Sequence, residues 1–139
     1  MSYEAIGQGI KACLGNISSL KRIYAPEELP TAISERPCAL ILPGEIDYSQ
    51  ARADEDTLKY RVIILLGEVG KPDRFALIPP YTESIGDSSV PKAIQDDYTL
   101  SGAAAWARIT KNKGAGYTEW GGANYTSTEF ELEVTAPVI

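Results

Sequence analysis

The sequence contains no histidine, and this absence excludes several common kinds of active site. Ser-His-Asp and Cys-His nucleophile systems, imidazole-ligated zinc and the usual acid-base group near neutral pH all need that side chain. Cysteine is also scarce, because Cys13 and Cys38 are too few for a disulfide-stapled scaffold. We expect both thiols to be reduced and buried as small hydrophobic groups.

Positive charge and long apolar runs are limited as well. The 13 lysines and arginines stand against 19 acidic residues, giving a net charge of −6, which argues against a dedicated nucleic-acid-binding protein. The longest apolar runs, such as Val62 to Leu66, are far shorter than the ~18 residues of a membrane span. The N-terminus shows no basic stretch typical of export signals, so we expect a protein without membrane contact.

The pattern of apolar residues predicts a single domain over residues 1–139 with mixed secondary structure. From Tyr3 to Ile17 the apolar positions recur every three or four residues, which predicts an amphipathic helix that ends near Gly15. Gly7 and Gly9 weaken this helix, and a close approach to a neighbouring strand or subunit would explain them. A second, interrupted helical region is predicted between Arg74 and Asp97.

Five segments have the composition or alternation of β-strands. They are Lys21–Tyr24, Cys38–Leu42, Leu58–Leu66, Gly102–Lys111 and Thr126–Pro137. We expect the second to end in a turn at Pro43-Gly44, and the Gly-rich segment from Asn112 to Ala123 to be a loop. The order of elements predicts an α+β fold, with a mostly antiparallel sheet of four to six strands flanked by two helical regions.

Three motifs superficially resemble catalytic or ligand-binding sites, and each lacks a required part. Gly67–Lys71 has two residues between its glycines instead of the four of a phosphate loop. The acidic run Asp54-Glu55-Asp56 lacks the spaced ligands of a calcium loop, so a solvated loop is favoured. Asp96 and Asp97 are adjacent and cannot by themselves face each other across a glycosidic bond. We therefore predict no catalytic, cofactor or metal site and no enzymatic activity.

Aromatic residues cluster in and beside the Gly-rich segment. Tyr117, Trp120 and Tyr125 supply large contact area at little cost in rotamer entropy, as in partner-binding loops. The alternative is a hairpin whose rings fold back over the sheet edge. The sequence leaves these two interpretations equally open.

Several segments resemble the tail-terminator, or tail-completion, proteins of long-tailed (siphovirus-type) phages. They are Lys21–Pro30, Pro37–Gly44, Asp97–Gly102 and the alternating strand that follows Tyr125. The resemblance spans most of the chain in order and departs from the family at Gly121–Tyr125. It implies an α+β domain, about six copies of which form a ring that caps the tail tube and then meets the head connector or head-closure protein. The protein would be assembled in the host cytoplasm and carried in the virion tail.

For a protein with this function we expect two kinds of functional surface. Contacts with tube and connector are predicted at Asp54, Glu55, Asp56, Tyr117, Trp120 and Tyr125. The residues predicted to face the lumen are Glu129, Glu131 and Glu133, with the Asp54–Asp56 loop as a second candidate. Their negative charge would repel DNA, so that the genome passes through without specific binding.

Three alternatives stay open. A head-closure or adaptor protein of the same neck would share these features. A small carboxylate-based hydrolase of the virion would depend on Asp54 or Asp56. A monomeric binding module of the host cell would form no oligomer at any concentration.

Overall fold

The computed structural model describes residues 3–48, 55–68 and 74–137, which form a five-stranded sheet with helices on one side. The α-helices in these ranges are α1 (Tyr3–Leu14), α2 (Pro79–Thr82) and α3 (Val90–Gln95). The strands are β1 (Arg22–Tyr24), β2 (Cys38–Asp47), β3 (Glu55–Glu68), β4 (Trp106–Trp120) and β5 (Ala123–Pro137). They lie in the order β1-β2-β3-β5-β4, antiparallel except for β1 beside β2. The predicted α+β fold is thus confirmed.

The larger core lies between the sheet and the helices. Alternate residues of β3 and β5, including Val62, Ile64, Phe130 and Leu132, meet the buried stripe of α1 and the apolar residues of α2 and α3. Helix α1 ends at Leu14, as the sequence predicted. Period-two alternation in the strands and the three-to-four spacing in the helix direct these apolar side chains into one layer.

Gly9 is required where α1 crosses the turn that precedes β4. A Cβ at this position would lie 2.6 Å from the carbonyl oxygen of Leu100, a left-handed residue with φ of 53°. The carboxylate of Asp97 holds that turn by accepting hydrogen bonds from the Ser101 backbone N–H and hydroxyl. The close approach predicted for the glycine is therefore present, but its partner is a turn instead of a strand or subunit.

The opposite face of the sheet is apolar over only part of its area. Cys38, Leu40, Ile63, Leu65 and Tyr125 belong to a second, smaller core. It is covered by the segment between β1 and β2, which contributes Leu29 and Ile33. The remainder of this face bears charged residues.

Several strands are longer than the sequence predicted, and β2 and β4 run furthest beyond their predicted ends. β2 does not end at Pro43-Gly44, because an irregularity between Pro43 and Ile46 lets it continue to Asp47. The prediction of a Gly-rich loop from Asn112 to Ala123 is wrong. β4 runs to Trp120, and Gly121-Gly122 alone forms the turn to β5. Their φ angles of 60° and 84° suit a two-residue type I′ turn, which glycine adopts without strain.

Candidate functional site

The exposed part of the sheet face opposite the helices forms a charged patch. Glu129, Glu131 and Glu133 lie in a row along β5, as the predicted alternation requires, and cations flank the row on β3 and β4. The patch comprises Lys59, Arg61, Arg108, Lys111, Lys113, Glu129, Glu131 and Glu133. Among these eight residues, cations outnumber carboxylates five to three, although the chain as a whole has a net charge of −6.

Glu129 is the most strongly held member of the patch. Arg61 donates two hydrogen bonds of 2.9 Å to its two carboxylate oxygens, and Lys113 Nζ lies 3.0 Å from one of them. The side chain of Glu129 is only 19% exposed. The hydrogen bond from Arg61 is the main reason that the pKa of Glu129 is lowered, and the same bond raises the pKa of Arg61.

The other two glutamates of the row are held less tightly. Lys111 Nζ lies 3.7 Å from Glu131, which also accepts a hydrogen bond from the Thr110 hydroxyl. Glu133 has Lys59 and Arg108 opposite it on the neighbouring strands but forms no ion pair within the described ranges. Two of the three predicted lumen residues are therefore ion-paired.

The sequence left open whether the aromatic residues of the β4–β5 hairpin are exposed for a partner or fold back over the sheet, and the structure shows both cases. Tyr117 is 62% exposed and packs edge-on against Phe75, with ring centroids 5.7 Å apart. Trp120 is half-buried, and its Nε1 donates to the Pro30 carbonyl at 2.8 Å. Tyr125 is buried in the smaller core, with the Arg36 guanidinium over its ring. Trp120 and Tyr125 thus fold back onto the protein, whereas Tyr117 presents an open ring.

The acidic run at the start of β3 does not form a joint site in the described part of the chain. Asp54 lies outside the described residues. Glu55 is exposed, whereas Asp56 is buried. Because successive strand residues point to opposite faces, the carboxylates of Glu55 and Asp56 do not share one surface.

The two cysteines are free thiols on opposite faces of the sheet. Cys13 belongs to the larger core and Cys38 to the smaller one. Burial raises the pKa of each thiol to about 11, with the charge of Asp97 adding to the effect at Cys13. Both thiols are therefore protonated at neutral pH.

Neither a metal centre nor a membrane span is found in the part of the chain that the structure describes. No three or more His, Cys, Asp or Glu residues there come close enough to hold a metal ion. No helix in the same ranges is both long and apolar enough to cross a bilayer.

A cleft beside β2 brings together residues that the sequence analysis did not single out. This β2 cleft has a volume of about 470 Å³ and an apolar floor that includes Ile46 and Leu58. Its polar lining includes Tyr3 and Glu4 from α1, Glu27 from the 3₁₀ turn Pro26–Glu28, and Lys59 and Tyr60 from β3. These residues are distant in sequence, so no local spacing signals the cleft.

In comparisons with known proteins, the chain matches no protein-family model, and no curated sequence is significantly similar to it.

Proposed function

We propose that this chain is a structural virion protein of a long-tailed phage, a tail terminator that forms a ring of about six copies. The ring would cap the tail tube, end tail elongation and join the tail to the head connector. Two observations support the proposal. The chain has the α+β fold that the resemblance implies. The segments that carry the resemblance also form defined elements, including β1, the start of β2 and the turn beneath Gly9.

The observation that carries the proposal is the unlike character of the two sheet edges. A closed ring needs a heterologous contact, in which one patch meets a different patch on the next copy. Within the described ranges β1 pairs only with Cys38, Ala39 and Leu40, which leaves the second half of β2 as one edge of the described sheet. β4 forms the other edge, three strand spacings or about 14 Å away from β2. The chain thus presents two different edges on opposite sides.

We do not propose that the acidic row of β5, formed by Glu129, Glu131 and Glu133, lines the lumen of the ring. A ring of about six copies carries a charge of about −36, which disfavours adhesion of DNA as it passes. Cations outnumber the carboxylates around Glu129, Glu131 and Glu133, however, so the row does not supply the local repulsion expected of it. We therefore attribute the passage of DNA to the net charge of the ring.

A head-closure or adaptor ring is the nearest alternative, since it uses the same kind of contacts. A carboxylate hydrolase that depends on Asp54 or Asp56 stays a further alternative. Asp54 lies outside the described residues, and the neighbouring pair Glu55 and Asp56 points to opposite faces of β3, so these two carboxylates cannot flank one bond.

Electron microscopy of tails assembled with and without this chain tests the proposal. We expect overlong or ragged tails when the chain is missing and tails of normal length when it is restored. Tails of normal length that fail to join heads would instead indicate a head-closure protein. Normal, joined particles without the chain would contradict both assignments.

A further inference from the structure

The β2 cleft contains a buried polar group that has no hydrogen-bond partner among the residues that the structure describes. Tyr60 is 4% exposed and lines the cleft, yet its hydroxyl forms no hydrogen bond with any residue in the described ranges. Burial, and then the nearby Tyr3 and Glu27, raise the pKa of Tyr60 to about 12, so the phenol keeps its proton. Leaving such a group unpaired is costly, and an incoming polar group would remove that cost.

Two carboxylates at the cleft are also not ion-paired in the described part of the chain. Glu4 and Glu27 are exposed, and neither forms an ion pair with a residue that the structure describes. Glu27 accepts a hydrogen bond from the neutral amide of Gln8. Lys59 contributes to the lining, but strand alternation directs its side chain to the charged patch on the other face.

The chemistry of the cleft therefore favours an occupant with an apolar stem and a cationic head. A lysine side chain has both parts, since its methylene groups pack on apolar surface while its ammonium group stays with polar partners. Ile46 and Leu58 would contact the stem, while Glu4 and Glu27 would receive the ammonium group.

The opposite edge of the same sheet has such lysines in excess. Lys111 and Lys113 on β4 have side chains 61% and 47% exposed. The carboxylate nearest Lys113 is Glu129, which Arg61 already binds through two hydrogen bonds. Lys111 is 3.7 Å from its own partner, a weak pairing at a solvated site. Both lysines can therefore serve a second carboxylate at little cost.

We propose that the β2 cleft of one copy receives Lys111 or Lys113 from the β4 edge of a second copy of this chain. The contact is heterologous and joins opposite edges of the sheet, which is the arrangement that a closed ring requires. Because each copy carries a net charge of −6, this pairing of unlike patches would also select one orientation among many repulsive ones. The inference rests on the proposed function and names its subunit contact.

Charge reversal on each edge tests the contact, with sedimentation and native mass spectrometry of the full chain from about 10 µM to about 1 mM. We expect Glu4→Lys with Glu27→Lys, or Lys111→Glu with Lys113→Glu, to weaken self-association by about tenfold or more. Tyr60→Phe should weaken it by about threefold to tenfold while the chain stays folded. The matched control for the first pair is Glu83→Lys with Asp87→Lys, which raises the net charge by the same amount at two exposed positions between α2 and α3 and should leave self-association intact.

Mixing the two reversed variants gives the decisive result. Every contact between unlike variants again pairs a basic patch with an acidic one, so we expect mixed oligomers that alternate around the ring. A wild-type chain that stays monomeric throughout, edge variants that associate like wild type, or a mixture that fails to associate would each overturn the inference. Reversed variants that still produce tails of normal length would overturn this contact alone, whereas normal tails without the chain would overturn the proposed function.

Discussion

The two faces of the sheet are made from alternate residues of the same strands, yet different forces act on them. On the helix side, residues such as Phe130 and Leu132 are completely buried. On the other side, their neighbours Glu129 and Glu131 are held by ion pairs at a partly solvated surface. Apolar burial is worth more than surface ion pairing, so the helix face stabilises the fold and the charged face is available for contacts.

The largest effect is expected at the centre of the helix face. Phe130→Ala should lower the free energy of unfolding by about 3–5 kcal/mol, because the cavity left behind cannot collapse fully. Urea unfolding followed by fluorescence measures this loss. The matched change on the other face, Glu131→Ala, should cost less than about 1 kcal/mol. Similar losses for the two variants would remove the distinction between the faces.

The two glycines Gly9 and Gly116 extend the comparison to the backbone. Gly9→Ala places a methyl group against the Leu100 carbonyl and should destabilise the protein by about 1–3 kcal/mol. At Gly116 on the outer strand, no atom of the described residues lies within 4 Å of the Cβ position. Gly116→Ala should therefore be neutral or stabilising, by up to about 1 kcal/mol. Thermal unfolding of the pair checks this, and a destabilised Gly116→Ala would show that the outer strand is more constrained than described.

Trp120 lies on the sheet face opposite the helices, at the end where that face is covered by the smaller apolar core instead of bearing charged residues. Trp120→Phe keeps a ring in the smaller core but removes the hydrogen bond to Pro30, so we expect a loss of about 0.5–1.5 kcal/mol. Amide hydrogen exchange at the hairpin tip should rise locally, while exchange in the larger core stays unchanged. Faster exchange throughout the chain would mean that this contact supports the whole fold.

Local periodicity predicted most of the fold, because the main elements depend on it. The spacing in α1 and the alternation in β5 each indicate which side of the element is buried, and both predictions are confirmed. The glycines of β4 misled the prediction: their composition is typical of a loop, whereas pairing with β5 overrides local propensity.

The candidate site was much less predictable than the fold. The ion pairs around Glu129 come from β3 and β4, and the register of those strands is a tertiary property. The β2 cleft likewise depends on how the chain near Glu27 packs beside Tyr60, 33 positions further along the sequence. Neither arrangement leaves a spacing that sequence reasoning can detect.

The smallest effect is expected at the charged face, and its dependence on pH identifies its origin. The pKa of Glu129 in the folded chain lies below its ordinary value of 4.5, so the ionised side chain stabilises the fold at higher pH. That contribution is complete above the unfolded pKa and disappears as the pH falls through the folded value. Glu129→Gln should therefore cost up to about 1 kcal/mol at pH 7 and progressively less below about pH 4, with a smaller cost in high salt.

Glu133→Gln is the control for this measurement, because Glu133 lies in the same row but forms no ion pair within the described ranges. Its effect on the free energy of unfolding should stay within about 0.5 kcal/mol at every pH. A cost of Glu129→Gln that did not change with pH would mean that the side chain acts through packing. The charged face would then resemble the helix face, and the comparison between them would fail.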